Sequence, residues 1–165
     1  MTEITTELVK ELRDKTGVSV MQCKKALEEA AGDMEKATAL LMSKSAEQAL
    51  KKADRTLGAG TIGAYIHSTG NVGTMVELLC ETDFVAKNEE FKALARDIAM
   101  HVSASDPKFL KADDEGAEAE PESVLLTQPF IKNPDVTITN LVQQATQKFG
   151  EKIEVSRFVR FSIAQ

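Results

Sequence analysis

Hydrophobic positions in the first 50 residues recur at helical spacing and predict three short helices. Thr5 or Thr6 can cap the first helix, and Gly17 can end it in a left-handed conformation. Ser19 and Asp33 are suitable caps for the second and third helices. The three predicted apolar stripes are Ile4, Leu8, Val9 and Leu12; Val20, Cys23, Leu27 and Ala30; and Met34, Ala37, Leu40 and Leu41. The short turns between them predict a compact three-helix unit.

The pattern changes after a polar, helix-favouring connector at residues 43–55. From residue 58 onward apolar and polar positions alternate, with Ile62, Ala64 and Ile66 on one face of a strand. The sequence "STGN" predicts a hairpin turn, and "VGTMVELLCE" predicts a second strand that is largely buried. A helix should follow Thr82 and end before Pro107. Its predicted apolar face consists of Phe91, Leu94, Ala95, Ile98 and Val102.

The last third of the chain predicts a loop, a helix and a final strand. Residues 113–122 contain six acidic residues and no basic one, which is typical of a solvated, flexible loop. "LLTQPF" predicts a short edge segment, and Thr137 or Thr139 can cap a helix that reaches Phe149. In the final strand, alternation places one set of side chains on a single face: Ile153, Val155, Val159, Phe161 and Ile163. We therefore predict an α+β fold, with a helical domain at residues 1–55 and an α+β core with a small antiparallel sheet at residues 56–165.

Composition and charge narrow the possible functions. The chain has 165 residues and a net charge of −6, which argues against a protein that coats nucleic acid or anionic membranes. No apolar run is long enough to span a bilayer, and the first residues lack the basic-then-apolar order of a secretory signal. The two cysteines, Cys23 and Cys80, lie far apart and form no metal-binding motif. A reduced, cytoplasmic setting is expected.

Motifs for enzymatic chemistry are largely missing from the sequence. It contains no phosphate-binding GxxxxGK[ST] or GxGxxG motif after a strand, no HExxH and no calcium loop, so neither a cofactor nor a metal is predicted. The sharpest enzymatic hypothesis pairs Cys80 as a nucleophile with His67 or His101, oriented by Asp83. Because Cys80 ends an apolar strand, a core role is the simpler interpretation, and no enzyme is predicted. For His101, a buried position and a contact role both stay open.

The N-terminal helices resemble ubiquitin-associated domains in the pattern "TG....C..AL...GDMEKA...L". In that fold a small three-helix bundle docks to partners through exposed apolar residues. Met21 lies about 100° around the helix from Val20, beside the predicted core stripe, and Arg13 and Lys24 are placed to flank it. Spacing alone leaves two alternatives: Met21 either docks to a partner or covers the edge of the core.

Several longer stretches, taken together, resemble the translation elongation factor Ts family. "LVKELRDKTGVSVMQCKKALEEAAGDMEKA" is similar to the N-terminal signature of the family, and "VELLCETDFVAKNEEF" is similar to its second signature. "DIAMHVSAS", "LTQPF" and "SRFVRF" follow in the family's order, so that the resemblance extends from about residue 4 to residue 163. It implies a ubiquitin-associated-like domain followed by an α+β core.

The activity that this resemblance implies is guanine-nucleotide exchange on elongation factor Tu. In the family an Asp-Phe pair is pushed between two helices of the partner's nucleotide domain, and Asp83 and Phe84 match that pair, flanked by Thr82 and Val85. Positions that match the family's other contacts are Arg13, Val20, Met21 and Lys24, with His101 as a further candidate.

The chain also departs from longer family members. "DEGAEAEPES" leads almost directly into "LLTQPF", so that a second core subdomain and an inserted coiled-coil hairpin are both expected to be missing. Compact members tend to pair, and the hydrophobic final strand supports a predicted homodimer. The alternative function, from another class, is an adaptor that binds ubiquitin or a similar partner. Such domains usually carry a Met-Gly-Phe/Tyr loop, whereas this chain has "TGVS".

Overall fold

The computed structural model describes residues 3–163 and divides the chain into two compact units. The helical unit comprises the chain up to Asp54 together with Gln143–Glu151. The sheet unit comprises Arg55–Val142 and the chain from Lys152 onward. The fold is α+β, with helices first and a small antiparallel sheet after them, as the sequence predicts. Within residues 3–163, no helix is long and apolar enough to cross a membrane.

The helical unit is built from α1 (Thr6–Thr16), α2 (Val20–Glu29) and α3 (Met34–Lys51). The predicted caps are confirmed: the side chains of Thr5, Ser19 and Asp33 each accept a hydrogen bond from a backbone N–H in the first turn of their helix. Gly17 ends α1 at φ 68°, a left-handed conformation that favours glycine. The predicted connector is not a separate helix, because α3 continues through most of it.

The core of the helical unit comes from one face of each helix and from the turn between α1 and α2. It consists of Val9, Leu12, Val18, Cys23, Ala26, Leu27, Ala30, Ala37 and Leu41. The prediction that Val20 belongs to this stripe is wrong, because half of its surface is exposed. Val20 is the first residue of α2, and Val18 in the turn before it, 3% exposed, belongs to the core instead.

The sheet unit contains a three-stranded antiparallel sheet in the order β1-β2-β5. Its strands are β1 (Ala59–Ile66), β2 (Val72–Cys80) and β5 (Glu154–Ser162). The central strand β2 pairs with both neighbours, and its inward residues Val76 and Leu78 are fully buried. The opposite, outer face of the sheet carries exposed apolar side chains from all three strands.

Helix α5 (Glu89–Ser105) covers the inner face of the sheet and approaches β1 very closely at Gly63. A Cβ atom at Gly63 would lie 2.3 Å from the carbonyl carbon of Ala95, which no real contact permits. The hydroxyl of Thr74 donates to the carbonyl oxygen of Ala99 at 2.6 Å, which joins β2 to the same helix. A residue without a side chain therefore sets the distance between helix and sheet.

Strand β5 contains a β-bulge that the alternating pattern did not predict. Arg157 lies opposite Glu77 and Val155 lies opposite Leu78, so Ser156 is an extra residue between them. As a result Val155 is buried on the inner face, whereas Val159 pairs with Met75 and Phe161 pairs with Gly73 on the outer face. The prediction that Val155, Val159 and Phe161 share one face is therefore wrong, because one inserted residue changes the alternation.

The segment between α5 and β5 is more ordered than its composition suggests. The acidic residues 113–122 form short 3-10 turns, in which Ala117 is buried and the Asp114 carboxylate accepts the backbone N–H groups of Leu110 and Lys111. A two-stranded sheet follows, formed by β3 (Pro129–Phe130) and β4 (Asn133–Thr137), and β4 was not predicted. Helix α6 (Ile138–Phe149) then begins with the Thr137 hydroxyl accepting from the backbone N–H of Asn140.

Candidate functional site

A helix of only four residues, α4 (Asp83–Ala86), carries the predicted Asp-Phe pair. It starts immediately after the turn that ends β2, and the Thr82 hydroxyl caps it by accepting from the backbone N–H of Val85 at 3.4 Å. Val85 and Ala86 are buried and anchor the helix to the sheet unit. Anchoring by these two residues leaves Asp83 and Phe84 on the solvent side.

The ring of Phe84 is among the most exposed apolar groups of the described chain. It is 85% exposed, and so it does not fold back against its own helix. An exposed phenyl ring places apolar surface in water, which is unfavourable unless another molecule covers it. Asp83 beside it is also exposed, so that a carboxylate and a phenyl ring project together from one turn.

A second exposed apolar group lies where α1 leads into α2. Met21 is 81% exposed and Val20 is 50% exposed. Arg13 in the last turn of α1 and Lys24 in α2 are exposed as well, and Lys24 forms only a long, 4.0 Å ion pair with Glu28. This surface, called here the α1–α2 corner, therefore combines two apolar side chains with two cationic ones. Of the two alternatives for Met21, its exposure excludes the one in which it packs at the edge of the core.

The structure does not bring His101 to the surface with the other predicted site residues. Its side chain is 1% exposed inside the sheet unit. Its Nδ1 accepts the backbone N–H of Ile131 at 3.2 Å, so the Nε2 atom carries the proton and donates to Gln128 Oε1 at 2.9 Å. Burial lowers the pKa of His101, and the bond to Gln128 opposes that effect only partly. The ring is a neutral hydrogen-bonding link between α5 and the β3 segment.

Sequence reasoning missed the break between α4 and α5. Asn88 Oδ1 accepts the backbone N–H groups of Glu90 at 2.8 Å and Phe91 at 3.4 Å, so a second cap starts α5 directly after α4. An Asn followed by two Glu residues is a recognisable start signal for a helix. This signal was missed because the capping signal at Thr82 predicts the start of one continuous helix that includes both α4 and α5.

The cysteine of the enzymatic hypothesis, Cys80, is buried, and so is one of its two candidate histidines, His101. The thiol of Cys80 donates to the Thr82 carbonyl oxygen at 3.3 Å. Cys23 is also buried, and this burial raises the pKa of its thiol. Among residues 3–163, no group of three or more His, Cys, Asp or Glu side chains is arranged to hold a metal ion.

Comparison with known proteins gives one consistent result. Residues 1–120 match the sequence profile described as Elongation factor TS. A protein named elongation factor Ts from Carboxydothermus hydrogenoformans is 43% identical over 195 residues, which covers 98% of this chain and 90% of the relative. Proteins of the same name from Heliobacterium modesticaldum and Thermodesulfovibrio yellowstonii are 41% and 43% identical, with 98% of this chain covered in both comparisons and 91% and 97% of the relatives covered.

These alignments are longer than the chain itself. The comparison with the Carboxydothermus protein spans 195 positions, whereas this chain has 165 residues, so the relative contains residues that have no counterpart here. Three observations agree with one another: the two signature stretches, the capped turn with its exposed phenyl ring, and a sequence identity of 43% that extends over nearly the whole chain. The chain belongs to the elongation factor Ts family of translation elongation factors.

Proposed function

We propose that this chain is a guanine-nucleotide exchange factor that binds elongation factor Tu in its GDP form and promotes the release of GDP, so that GTP can replace it. The observation that carries the proposal is the Phe84 ring, 85% exposed on a short helix that Thr82 caps and Val85 and Ala86 anchor. A helix that is fixed before binding loses little backbone entropy on docking, so that only the side-chain rotamers of Phe84 remain to be ordered. The ring therefore suits insertion between two helices of a partner.

Reciprocal linkage limits how far insertion of the Phe84 ring can weaken GDP binding. The free energy by which Phe84 insertion weakens GDP binding equals the free energy by which GDP weakens insertion. Burying one Phe side chain is worth about 1.5–3 kcal/mol, and each tenfold change in affinity needs about 1.4 kcal/mol. Phe84 alone can therefore weaken GDP binding by roughly ten- to hundredfold, and a loss of affinity that falls on the dissociation rate accelerates release by the same factor. The remaining coupling must come from other contacts, and the α1–α2 corner is the candidate that the structure exposes.

The test is the rate at which labelled GDP leaves elongation factor Tu at saturating concentrations of the chain, measured by stopped-flow fluorescence. Phe84→Ala should slow this release by roughly ten- to hundredfold, with little change in the thermal melt of the free protein. Ile131→Ala is a matched control, since it removes a side chain that is 46% exposed in the same unit, and it should leave release unchanged.

Wild-type chain that does not accelerate GDP release would refute the proposal. Binding to ubiquitin, with no effect on elongation factor Tu, would favour the adaptor alternative. If wild type accelerates release but Phe84→Ala is equally active, the exchange function stands and Phe84 has no part in it.

We further propose that two copies pair through the outer face of the three-stranded sheet. Exposed apolar side chains lie along this face: Ile62, Ile66, Met75, Phe161 and Ile163. Phe161 is 69% exposed and Ile66 is 67% exposed. A contiguous apolar sheet face of this kind usually lies against another surface. A second copy presents an identical face, and two such faces can pack as a sandwich.

Light scattering of the chain at about ten to a hundred micromolar, where a modest interface is populated, should therefore give twice the 18.0 kDa monomer mass. Phe161→Glu should return the mass to that of the monomer, because a charge would be buried without a partner. Phe84→Ala should leave the dimer intact. A monomeric mass for wild type over this concentration range would contradict pairing.

A further inference from the structure

The carboxylate of Glu81 lies at the base of the turn that carries Asp83 and Phe84. Glu81 directly follows the last residue of β2, and only Thr82 separates it from α4. Its side chain is only 20% exposed, although it is charged. A carboxylate in such a position is stable only where donors compensate for the lost water.

Glu81 Oε1 bonds to two chain segments that are distant in sequence. It accepts the backbone N–H of Lys152 at 2.6 Å and the guanidinium of Arg55 at 3.3 Å. Lys152 begins the segment that leads into β5, and Arg55 precedes β1. One carboxylate thus links the approaches to both outer strands with the end of the central strand, at the point where α4 begins.

Close backbone packing reinforces this junction. Gly58 lies so near that a Cβ atom there would approach the Glu81 carbonyl oxygen to 3.3 Å. One residue earlier than Glu81, the buried thiol of Cys80 donates to the Thr82 carbonyl oxygen. The turn is therefore held on its inner side, while α4 exposes Asp83 and Phe84 on the other.

We infer that Glu81 is a positioning residue: its charged hydrogen bonds to Lys152 and Arg55 fix the turn, and thereby fix the direction in which Phe84 is presented to a partner. Bonds of this charge-assisted kind are roughly twice as strong as neutral ones. Without them α4, which has only four residues, depends on the burial of Val85 and Ala86 and on the Thr82 cap. The consequence for nucleotide exchange rests on the proposed function, but the positioning itself does not.

The first experiment needs no partner and measures hydrogen exchange of the α4 amides by NMR. The backbone N–H groups of Ala86 and Lys87 bond to the carbonyl oxygens of Thr82 and Asp83, so their exchange rates report whether α4 is formed. Glu81→Gln retains the shape but removes the charge, and it should speed exchange at both amides by about tenfold. Glu81→Ala should speed exchange further, and the amides in the middle of α5 should be unaffected in both variants.

Glu120→Gln is the matched control. The Glu120 carboxylate also accepts from one cation, Lys108 at 2.8 Å, and from one neutral donor, the hydroxyl of Ser123 at 3.3 Å. It lies in the loop between α5 and β3, away from the turn. Glu120→Gln should leave the α4 amides unchanged. Unchanged α4 exchange in both Glu81 variants, or an equal change in Glu120→Gln, would overturn the inference.

The second experiment asks whether Glu81 acts through Phe84. Glu81→Gln should slow GDP release by about tenfold when the concentration of the variant chain is saturating. This is well below the hundredfold loss of rate that a 1 Å misplacement can cause. The concentration of the variant that gives half-maximal release should change by a smaller factor. Added to Phe84→Ala, Glu81→Gln should slow release less than it does alone, because the main group that it positions is already gone. Additive losses in the double variant, or no loss in Glu81→Gln, would contradict the inference while leaving the proposed function intact.

If Phe84→Ala itself fails to slow release, the role proposed for Phe84 fails instead. The amide measurements then still decide whether Glu81 holds the turn.

Discussion

The helical unit and the sheet unit both expose large apolar side chains, but they hold them by different means. Met21 projects from α2, a helix of ten residues whose own buried face fixes its orientation. Phe84 projects from a helix of four residues that owes its position to caps, two buried anchors and the Glu81 carboxylate. The first kind of site follows from local helix formation, and the second depends on contacts between distant segments.

This difference also determines what each unit tolerates. A core that is built from one apolar face of each helix can lose one side chain and still keep its helices, although the truncation leaves a cavity. A sheet covered by a helix has less freedom at the points of closest approach, because neither backbone can yield. The difference can be tested by substitutions within single elements, beginning with the change of largest expected effect.

Gly63→Val should destabilise the sheet unit by about 3 kcal/mol or more, the upper end for overpacking. The new side chain would meet the backbone of Ala95, since a Cβ atom alone would be 2.3 Å from its carbonyl carbon. Ala64→Val is the control: it adds the same residue type to the opposite, exposed face of β1 and should cost little. Urea denaturation would measure both, and equal stabilities for the two variants would contradict the assignment of faces.

Leu27→Ala and Met21→Ala compare a buried and an exposed position within α2. Leu27 is fully buried, so its truncation should lower the free energy of unfolding by about 3 kcal/mol. Met21 is 81% exposed, so its truncation should change stability by less than about 0.5 kcal/mol. Met21→Ala should instead weaken binding to elongation factor Tu, measured by calorimetry. A loss of stability in Met21→Ala similar to that of Leu27→Ala would show that Met21 is a packing residue.

As the pH falls, the sheet unit should lose stability at a higher pH than the helical unit does. The pKa of His101 in the folded protein lies below its ordinary value of 6.5, so the unfolded chain takes up the proton at a higher pH. The stability that the neutral ring contributes is therefore present above about pH 6.5 and is lost as the pH falls through the folded pKa. The helical unit has a different acid-sensitive group: the backbone N–H of Lys36 lowers the pKa of Asp33 below 3.8, so the Asp33 cap is lost only below that value.

Two-dimensional NMR spectra recorded from pH 7 to pH 3 would follow the two units separately. In His101→Gln, the stability of the sheet unit should depend less on pH between pH 6.5 and the lower range where carboxylates titrate. Equal pH dependence of wild type and His101→Gln would refute the role given to His101.

Those parts of the fold that depend on nearest neighbours could be predicted from the sequence. The caps at Thr5, Ser19 and Asp33, and the end of α1 at Gly17, follow from residue types that act within one helical turn. The hairpin of β1 and β2 was visible as alternation on both sides of "STGN". Phe84 was found as a candidate from its motif, and its exposure could not have been derived from the spacing alone.

Most features that prediction missed depend on pairing between distant segments; the cap at Asn88, which is local, is the exception. The bulge at Ser156 exists only relative to β2, and the turns of the acidic segment are closed by backbone pairing of Phe109 with Val124. Glu81 carries no sequence signal of its own, since a Glu after a strand is ordinary and Lys152 lies 71 residues away. Its role becomes visible only when the three segments are seen together.

The extra residue in β5 also has an evolutionary consequence. Ser156 shares its position opposite Glu77 with Arg157, and its hydroxyl bonds to the Glu77 carboxylate at 2.5 Å. Removing Ser156 would leave Arg157 opposite Glu77 and Val155 opposite Leu78, so that every later side chain would keep its face. The bulge is therefore a local insertion that leaves the facing of the rest of the strand unchanged. Because bulges are usually kept within a family, homologous chains are expected to retain a residue at this point, with a side chain that can bond to the carboxylate opposite it.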